Sequence, residues 1–404
     1  MVRSTGFAPP RNIVILGAGY AGVMAANRLL ATLTDAERAG TRVTVVNPRD
    51  RFIERIRLHE VAAGSAADAS LPLAEILHPD AHVLIGEARL ISPERDIVQI
   101  NTATGPVELA YQELIYAVGS AAAPRVPGAR EHTYFVGDAS RAARAAAKLA
   151  ELPAGGRVIV VGGGLTGIET ASEIAEHRPD LRVAVLVGSG LLPGFGAGAR
   201  RCARRALGRL GVQIIPGERV REARPGSLLA DSDRQFPYDV CIWAAGFEVP
   251  DLASRSGLAV DDAGRLRVGE DLTALGAANI IGAGDCVVLP AARGAHLRMG
   301  CAAALPLGGH AARTVLDHAR GTATAPASVG FLVQNLSLGR RNGVIQPVHA
   351  DDRPRRLFLA GRAAAWFKEY ICRLTVSGPR RERTHPGSYR APAGPRHPRN
   401  AGAA

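Results

Sequence analysis

Residues Val158–Glu169 read VIVVGGGLTGIE: four β-branched apolar positions, then glycines spaced G-x-G-x-x-G, then a glutamate. A buried strand entering a tight turn and a helix suits a dinucleotide pyrophosphate. The first glycine turns the chain, the second lets backbone approach the phosphates, and the third lets helix pack on strand. A second run of this kind, IVILGAGYAG at Ile13–Gly22, lies one whole nucleotide-binding domain upstream. Two such signatures, each at a strand–helix junction, predict two dinucleotide sites in one chain.

At 404 residues the chain is long enough for two domains with large cores. Hydrophobic residues make up 47% and charged residues 21%, the balance of a globular enzyme. No apolar run reaches the roughly 18 residues that span a bilayer. The first residues, MVRSTGFAPPRN, run straight into a strand without the pattern of a signal peptide. The expectation is a cytoplasmic protein. The formal net charge is +12, and the segment from Gly378 onward carries six arginines and one glutamate. Its Pro, Gly and Arg content predicts a disordered, solubilising tail and no nucleic-acid partner, because only Tyr389 interleaves with the charges. The five cysteines form no C-x-x-C pair, so reduced thiols and no metal site are expected.

Apolar runs alternate with alanine-rich helical stretches, which predicts α/β domains with mainly parallel sheets. YAVGS (Tyr116–Ser120) and WAAGF (Trp243–Phe247) close the two units, and GAGD (Gly282–Asp285) follows the second. In this order the motifs resemble the pyridine nucleotide–disulfide oxidoreductase superfamily, in which an NAD(P) domain is inserted into an FAD domain. Within it, Arg51–Gly64, Arg298–Ala312 and Ser337–Gln346 resemble the type II NADH dehydrogenase-like branch. Arg51–Gly64 lacks the C-x-x-x-x-C of the disulfide reductases, which argues against an internal redox disulfide. The resemblance implies two Rossmann-like dinucleotide-binding domains and a small C-terminal α+β subdomain. The expected boundaries are 1–125 and 263–320 for FAD, 126–262 for NAD(P), 321–377 for the subdomain and 378–404 for the tail.

At the first site Gly17, Gly19 and Gly22 are expected to hold the FAD pyrophosphate, with Tyr20 and Ala21 opening the helix. Asn47 stands where the fingerprint has an acid on the ribose, or is a plain turn residue before Pro48. The resemblance adds Ala117, Gly119, Gly284, Asp285 and Ala302 to the FAD site. It sets Arg55 and His59 beside the isoalloxazine, where a cation would stabilise reduced flavin, though Arg51, Arg55 and Arg57 also read as a solvated face. At the second site Gly162, Gly164 and Gly167, with Leu165, Thr166, Ala245 and Gly246, are expected to hold NAD(P)H. The resemblance turns Glu169 toward the nicotinamide. The second strand of this unit ends Val187-Gly188-Ser189 without an acid, which leans toward NADPH or loose selectivity. Cys301, at the start of a helix, reads either as a stabilised thiolate or as inert packing.

The implied activity is hydride transfer from NAD(P)H to FAD and on to a quinone-like or small organic acceptor. The alternatives are a flavin oxidoreductase acting on a biosynthetic metabolite and a slow, redox-gated interaction flavoprotein. The expected partners are the small-molecule electron acceptor, at most a peripheral membrane surface, and a second copy in a homodimer.

Overall fold

The protein is described by a computed structural model that covers residues 11–121 and 125–395. The chain opens with β1 (Arg11–Leu16), passes the glycine turn into α1 (Tyr20–Thr32) and returns as β2 (Thr41–Asn47). Then come α2 (Leu58–Ala63), β3 (His82–Ile85), an antiparallel meander over residues 87–110, and β4 (Glu113–Tyr116). The second unit begins with β5 (Tyr134–Phe135) and β6 (Arg157–Val161), turns through glycines into α3 (Leu165–His177), and returns as β7 (Arg182–Val187). It continues with α4 (Ala197–Arg209), β8 (Gln213–Pro216), another meander over residues 220–237, and β9 (Val240–Trp243). The chain then re-enters the first unit with β10 (Thr273–Ala274), β11 (Ala277–Gly282) and α5 (Cys301–Arg320). It finishes with β12 (Val333–Ser337), β13 (Gly343–Pro347), β14 (Leu359–Ala360) and α6 (Arg362–Glu382).

The first sheet has the order β10-β11-β4-β1-β2-β3 and the second β5-β9-β6-β7-β8. All neighbours are parallel except β10 with β11. The apolar runs of β1 and β6 are buried on both faces, as parallel strands between helical layers must be. In each sheet the order reverses beside the first strand of the unit, between β1 and β4 and between β6 and β9. A crevice at such a switch point, at the carboxyl ends of the strands, is where α/β sheets take ligands. Strand β11 pairs with β4 across the whole second unit, so the first sheet is completed only after the second has been built. The architecture is two Rossmann-like units plus a small α+β element of β12–β13–β14 and α6.

The C-terminal segment corrects the expectation of a disordered tail for its described part, residues 378–395. Helix α6 continues to Glu382, which is fully buried. Its carboxylate accepts two hydrogen bonds from Arg28 of α1 at 2.8 Å, and others from the amides of Gly387 (2.8 Å) and Tyr389 (2.6 Å). Farther on, the Gly330 amide donates to the Pro392 carbonyl at 2.9 Å. The segment lacks apolar residues for a core of its own but borrows a surface on α1, so composition misleads about its order. Residues 396–404 lie outside the described residues.

Candidate active site

The two glycine turns are built alike, down to single atoms. In the first, the Gly17 amide donates to the Val46 carbonyl at 2.8 Å; in the second, Gly162 donates to Leu186 at 3.0 Å. Gly17 has φ +100°, and a Cβ there would stand 2.5 Å from the Ala117 carbonyl oxygen. Gly162 has φ +132°, with the Ala244 oxygen at 2.9 Å from such a Cβ. A Cβ on Gly22 or Gly167 would run into the carbonyl oxygen of Gly17 or Gly162 respectively. The protein itself therefore requires the first and third glycines of each turn. It does not require the second. Gly19 and Gly164 have ordinary φ values near −80°, and a Cβ on either would meet nothing within 4 Å. Each of these glycines opens a helix with no side-chain cap, so free N–H groups face open space where a side chain would stand. That arrangement fits a dinucleotide pyrophosphate at both turns.

Around the first turn, helix α5 crosses α1 so closely that a Cβ on Gly308 would overlap the Ala21 carbonyl. Gly284 has φ +88° with the Ala21 Cβ 3.1 Å from its own would-be Cβ, so that strand end also packs on the turn. Asp285 accepts from the Gly300 amide at 2.7 Å and from the Ser120 hydroxyl at 2.8 Å. The Ser120 carbonyl accepts from Arg55 at 2.6 Å. One chain of hydrogen bonds thus ties Arg55, Ser120, Asp285 and the start of α5 together, with Gly119 (φ +71°) beside it. Ala302 is exposed on the first, uncapped turn of α5, and Pro306 supplies no N–H to its carbonyl. Ser120 and Gly300 went unnoticed in the sequence. Ser120 adjoins the Gly119 that was noticed, and Gly300 directly precedes Cys301.

Several of the expected site residues have partners within the chain. Asn47 does not point an amide oxygen at open space: that oxygen accepts from the Ala18 amide at 3.0 Å, and its NH2 donates to the Arg49 carbonyl at 2.7 Å. It buttresses the turn, because an amide can satisfy two backbone groups at once where a carboxylate would only accept. Tyr20 turns its ring into the core, edge-on to Phe52 at 5.1 Å. His59 is buried, and burial together with Lys368 drives its pKa down to about 3, so it is neutral at physiological pH and provides no cation. Burial pushes the Cys301 thiol up to about 11, so the start of α5 does not hold a thiolate at neutral pH.

Glu169 is also redirected. Its carboxylate is buried, accepts from the Ser337 amide at 3.0 Å and forms an ion pair with Lys368 of α6. Lys368 also donates to the Ser337 hydroxyl at 3.2 Å. Nearby, Arg340 pairs with Glu60 at 2.9 Å and with Glu173 at 3.0 Å, and Arg57 pairs with Glu369 at 2.7 Å. Charges from α2, α3 and α6 and from the turn after β12 meet here, with Glu60, Glu169, Glu173 and Lys368 buried and Arg340 on the exposed rim. A buried carboxylate needs donors, and here they come from residues nearly 200 positions away. The available sequence signal was that Lys368 is one of only two lysines in the chain, the other being Lys148.

At the second turn Leu165 and Thr166 are half-exposed, and the Leu192 amide donates to the Gly163 carbonyl at 2.8 Å. The Ala245 carbonyl accepts from the Trp243 indole at 2.7 Å, and Gly246 has φ +80° with open space at its Cβ position. Ser189 is exposed at the end of β7.

The pyridine nucleotide-disulphide oxidoreductase family model matches residues 11–305. The chain belongs to this family. It is an FAD-dependent oxidoreductase that uses a pyridine nucleotide. The disulphide of the family's name has no counterpart here, since Cys202, Cys241, Cys286, Cys301 and Cys372 are all unpaired. The chain is 29% identical over 385 residues to an NADH dehydrogenase-like protein of Mycobacterium tuberculosis, covering 89% of this chain and 92% of that one. It is 24% identical over 391 residues to the type II NADH:quinone oxidoreductase of Staphylococcus saprophyticus, covering 89% and 94%. Among solved structures, NDH2 of Plasmodium falciparum, determined with NADH, superposes with a TM-score of 0.78 at 17% identity, covering 93% and 96%. The sulfide:quinone oxidoreductase of Aquifex aeolicus superposes with a TM-score of 0.78 at 18% identity, covering 93% of both chains.

Proposed function

We propose that this protein takes hydride from NAD(P)H at the second glycine turn and passes electrons, through FAD at the first, to a quinone-like acceptor. The observation that carries the reading is the pair of second glycines, Gly19 and Gly164, whose missing side chains nothing in the protein requires. Bound FAD would supply the redox chemistry, accepting hydride and returning electrons. The chain supplies binding and orientation. The open N-termini of α1 and α3 hold the two pyrophosphates, and the first turn of α5 offers amides to the flavin's pyrimidine end. Arg55, held by the Ser120 carbonyl, keeps a positive charge near it. The Lys368–Glu169 pair ties α6 to α3.

A quinone acceptor is supported by the quinone oxidoreductases among the relatives, and the surface of α6 offers a way to reach one. While Ala364, Lys368 and Cys372 face inward, Trp366, Tyr370 and Leu374 are exposed on the other side, with Trp366 stacked on Tyr370. Leu357 is 82% exposed, and Arg362 and Arg373 frame the helix strip. Aromatic rings with flanking arginines suit the interfacial layer of a membrane. No helix among the described residues is long and apolar enough to cross one, so the contact is peripheral. The deciding experiment is anaerobic stopped-flow mixing of FAD-loaded protein with NADH or NADPH, followed by a water-soluble quinone. Flavin absorbance should bleach on the first addition and return on the second. Absence of bleaching with both nucleotides would sink the reading.

A further inference from the structure

We infer that the second nucleotide site reads a 2′-phosphate, and so prefers NADPH over NADH, through arginines of α4 and Arg219. The inference rests on the proposal that this site takes a nicotinamide nucleotide. In a βαβ unit the adenosine ribose lies at the carboxyl end of the second strand, where an acid holds the free 2′-hydroxyl and repels a phosphate. Here that strand is β7, and Val187 to Leu192 contain no acid. The carboxylate nearest by backbone is Glu218, on the neighbouring strand end, since Gly217 donates to the Val187 carbonyl at 2.8 Å. Its oxygens are occupied: they accept from the Ser232 hydroxyl and from Arg234, both at 2.6 Å. Arg234 also holds the Glu218 carboxyl below the usual range, after the Ser232 hydroxyl as the larger cause. Glu218 is therefore an ionised acid whose two oxygens are already engaged by Ser232 and Arg234.

Positive charge takes its place. The Cα and Cβ of Arg219 stand 3.6 Å from where a Cβ on Gly188 would be, which sets Arg219 against the end of β7. An open cavity of about 270 Å³ adjoins the same loop, lined by Leu191, Ala197, Arg200, Arg201 and Arg204. Leu191 is one residue from Leu192, whose amide is bonded to Gly163 of the glycine turn, so the cavity lies beside the pyrophosphate position. The start of α4 is held there from the C-terminal hairpin, where Gln346 accepts from the Gly196 amide at 3.1 Å. Among the described residues none of Arg200, Arg201, Arg204 and Arg219 has a carboxylate partner, and three of them line one cavity. Besides Glu218, Asp231 approaches through the backbone: its amide donates to the Arg219 carbonyl. Three arginines crowded around a cavity without a counter-ion repel one another. A phosphate monoester, close to doubly charged at neutral pH, relieves that repulsion and accepts from the guanidinium forks.

The test is titration calorimetry of FAD-loaded protein with ADP-ribose and with its 2′-phosphate, neither of which can transfer hydride. The 2′-phosphate form should bind about tenfold tighter or more, the size of one charge-assisted hydrogen bond, and its advantage should shrink with added salt. Arg200→Gln combined with Arg201→Gln should bring the two affinities within about twofold. Gly188→Glu, a position with only ordinary contacts around a Cβ, should reverse the preference. Flavin absorbance and thermal melting report that each variant stays folded. Equal or tighter binding of plain ADP-ribose by the wild type would overturn the inference while leaving the nicotinamide site standing. Failure of both ligands to bind, with no flavin bleaching by either nucleotide, would overturn the site and the inference together.

Discussion

The two glycine turns use the same local code in different surroundings. At the first, Ala18, Tyr20 and Ala21 are buried, Asn47 braces the turn, α5 packs on α1 through Gly308, and the C-terminal segment clamps Arg28. At the second, Gly163, Leu165 and Thr166 are half-exposed, the Thr166 carbonyl accepts from the Thr170 hydroxyl one turn along α3, and the exposed strand end leads to a cavity lined by arginines of α4. On the proposed assignment of FAD to the first turn and NAD(P)H to the second, the tighter packing belongs to the site that keeps its ligand and the looser to the one that exchanges it. The glycine motif is common to both turns, so what distinguishes them is the packing around it.

The largest effects should come from the third glycines. Gly22→Ala and Gly167→Ala each drive a methyl group into a backbone carbonyl, so each should cost about 3 kcal/mol or prevent folding. Soluble yield and melting temperature check this. Gly19→Ala and Gly164→Ala meet no protein atom and should leave the apoprotein's melting temperature almost unchanged. Gly19→Ala should nonetheless give colourless protein, whereas Gly164→Ala should stay yellow and be reduced slowly by NAD(P)H. Loss of apoprotein stability in either second-glycine variant would erase the distinction between glycines the fold needs and glycines the ligand needs.

Next come the buried charges that fasten each turn to the C-terminal elements. Lys368→Met leaves the Glu169 carboxylate buried without its cation and should cost about 3–5 kcal/mol in chemical denaturation. Adding Glu169→Gln should recover much of the loss, and a lack of recovery would show that Lys368 acts through other contacts. At the first turn, Glu382→Ala or removal of residues 378–404 strands Arg28 and should destabilise by about 3 kcal/mol. That truncation should speed FAD loss on dilution while leaving the affinity for ADP-ribose alone. An unaffected FAD off-rate would mean that the segment is ordered yet irrelevant to the first site.

The effect that is smallest at any single step of the measured variable is a pH dependence. His59 has its pKa lowered from an ordinary value of 6.5 to about 3 in the folded state. Above 6.5 it is neutral whether folded or not and costs nothing. Between about 6.5 and 3 the unfolded chain takes up a proton that the folded chain refuses. Stability should therefore fall as pH drops through that window, by at most about 1.4 kcal/mol per pH unit. His59→Gln should flatten this part of the melting-temperature profile, and identical profiles would assign the acid sensitivity to other groups.

Some of this was legible in the sequence because it depends on neighbours along the chain. Strand, glycine turn and helix follow from apolar runs and from positions that must have φ above zero, and both are local properties. The family, the pair of nucleotide units and the order of their motifs could be read directly for that reason. The missing acid after Val187 was equally plain. Composition was a poorer guide where a segment borrows its burial from elsewhere: Glu382 and Tyr389 sit in a Pro- and Arg-rich stretch, yet α1 supplies the partner that orders them.

What only the tertiary structure decided are the partners of polar side chains. Asn47 and Glu169 occupy the positions that the motifs assign to ligand contacts, yet one braces backbone and the other pairs with Lys368. The sequence by itself determined where the two glycine turns stand and which polar residues lie beside them. It could not determine where their hydrogen bonds go, because a buried polar group takes whichever donor or acceptor folding brings within about 3 Å. Those partners, Ser120 for Asp285 and Lys368 for Glu169, come from 165 and 199 positions away. Local periodicity carries no trace of distances of that kind, and so the fold was written in the motifs while the wiring of the site was settled by packing.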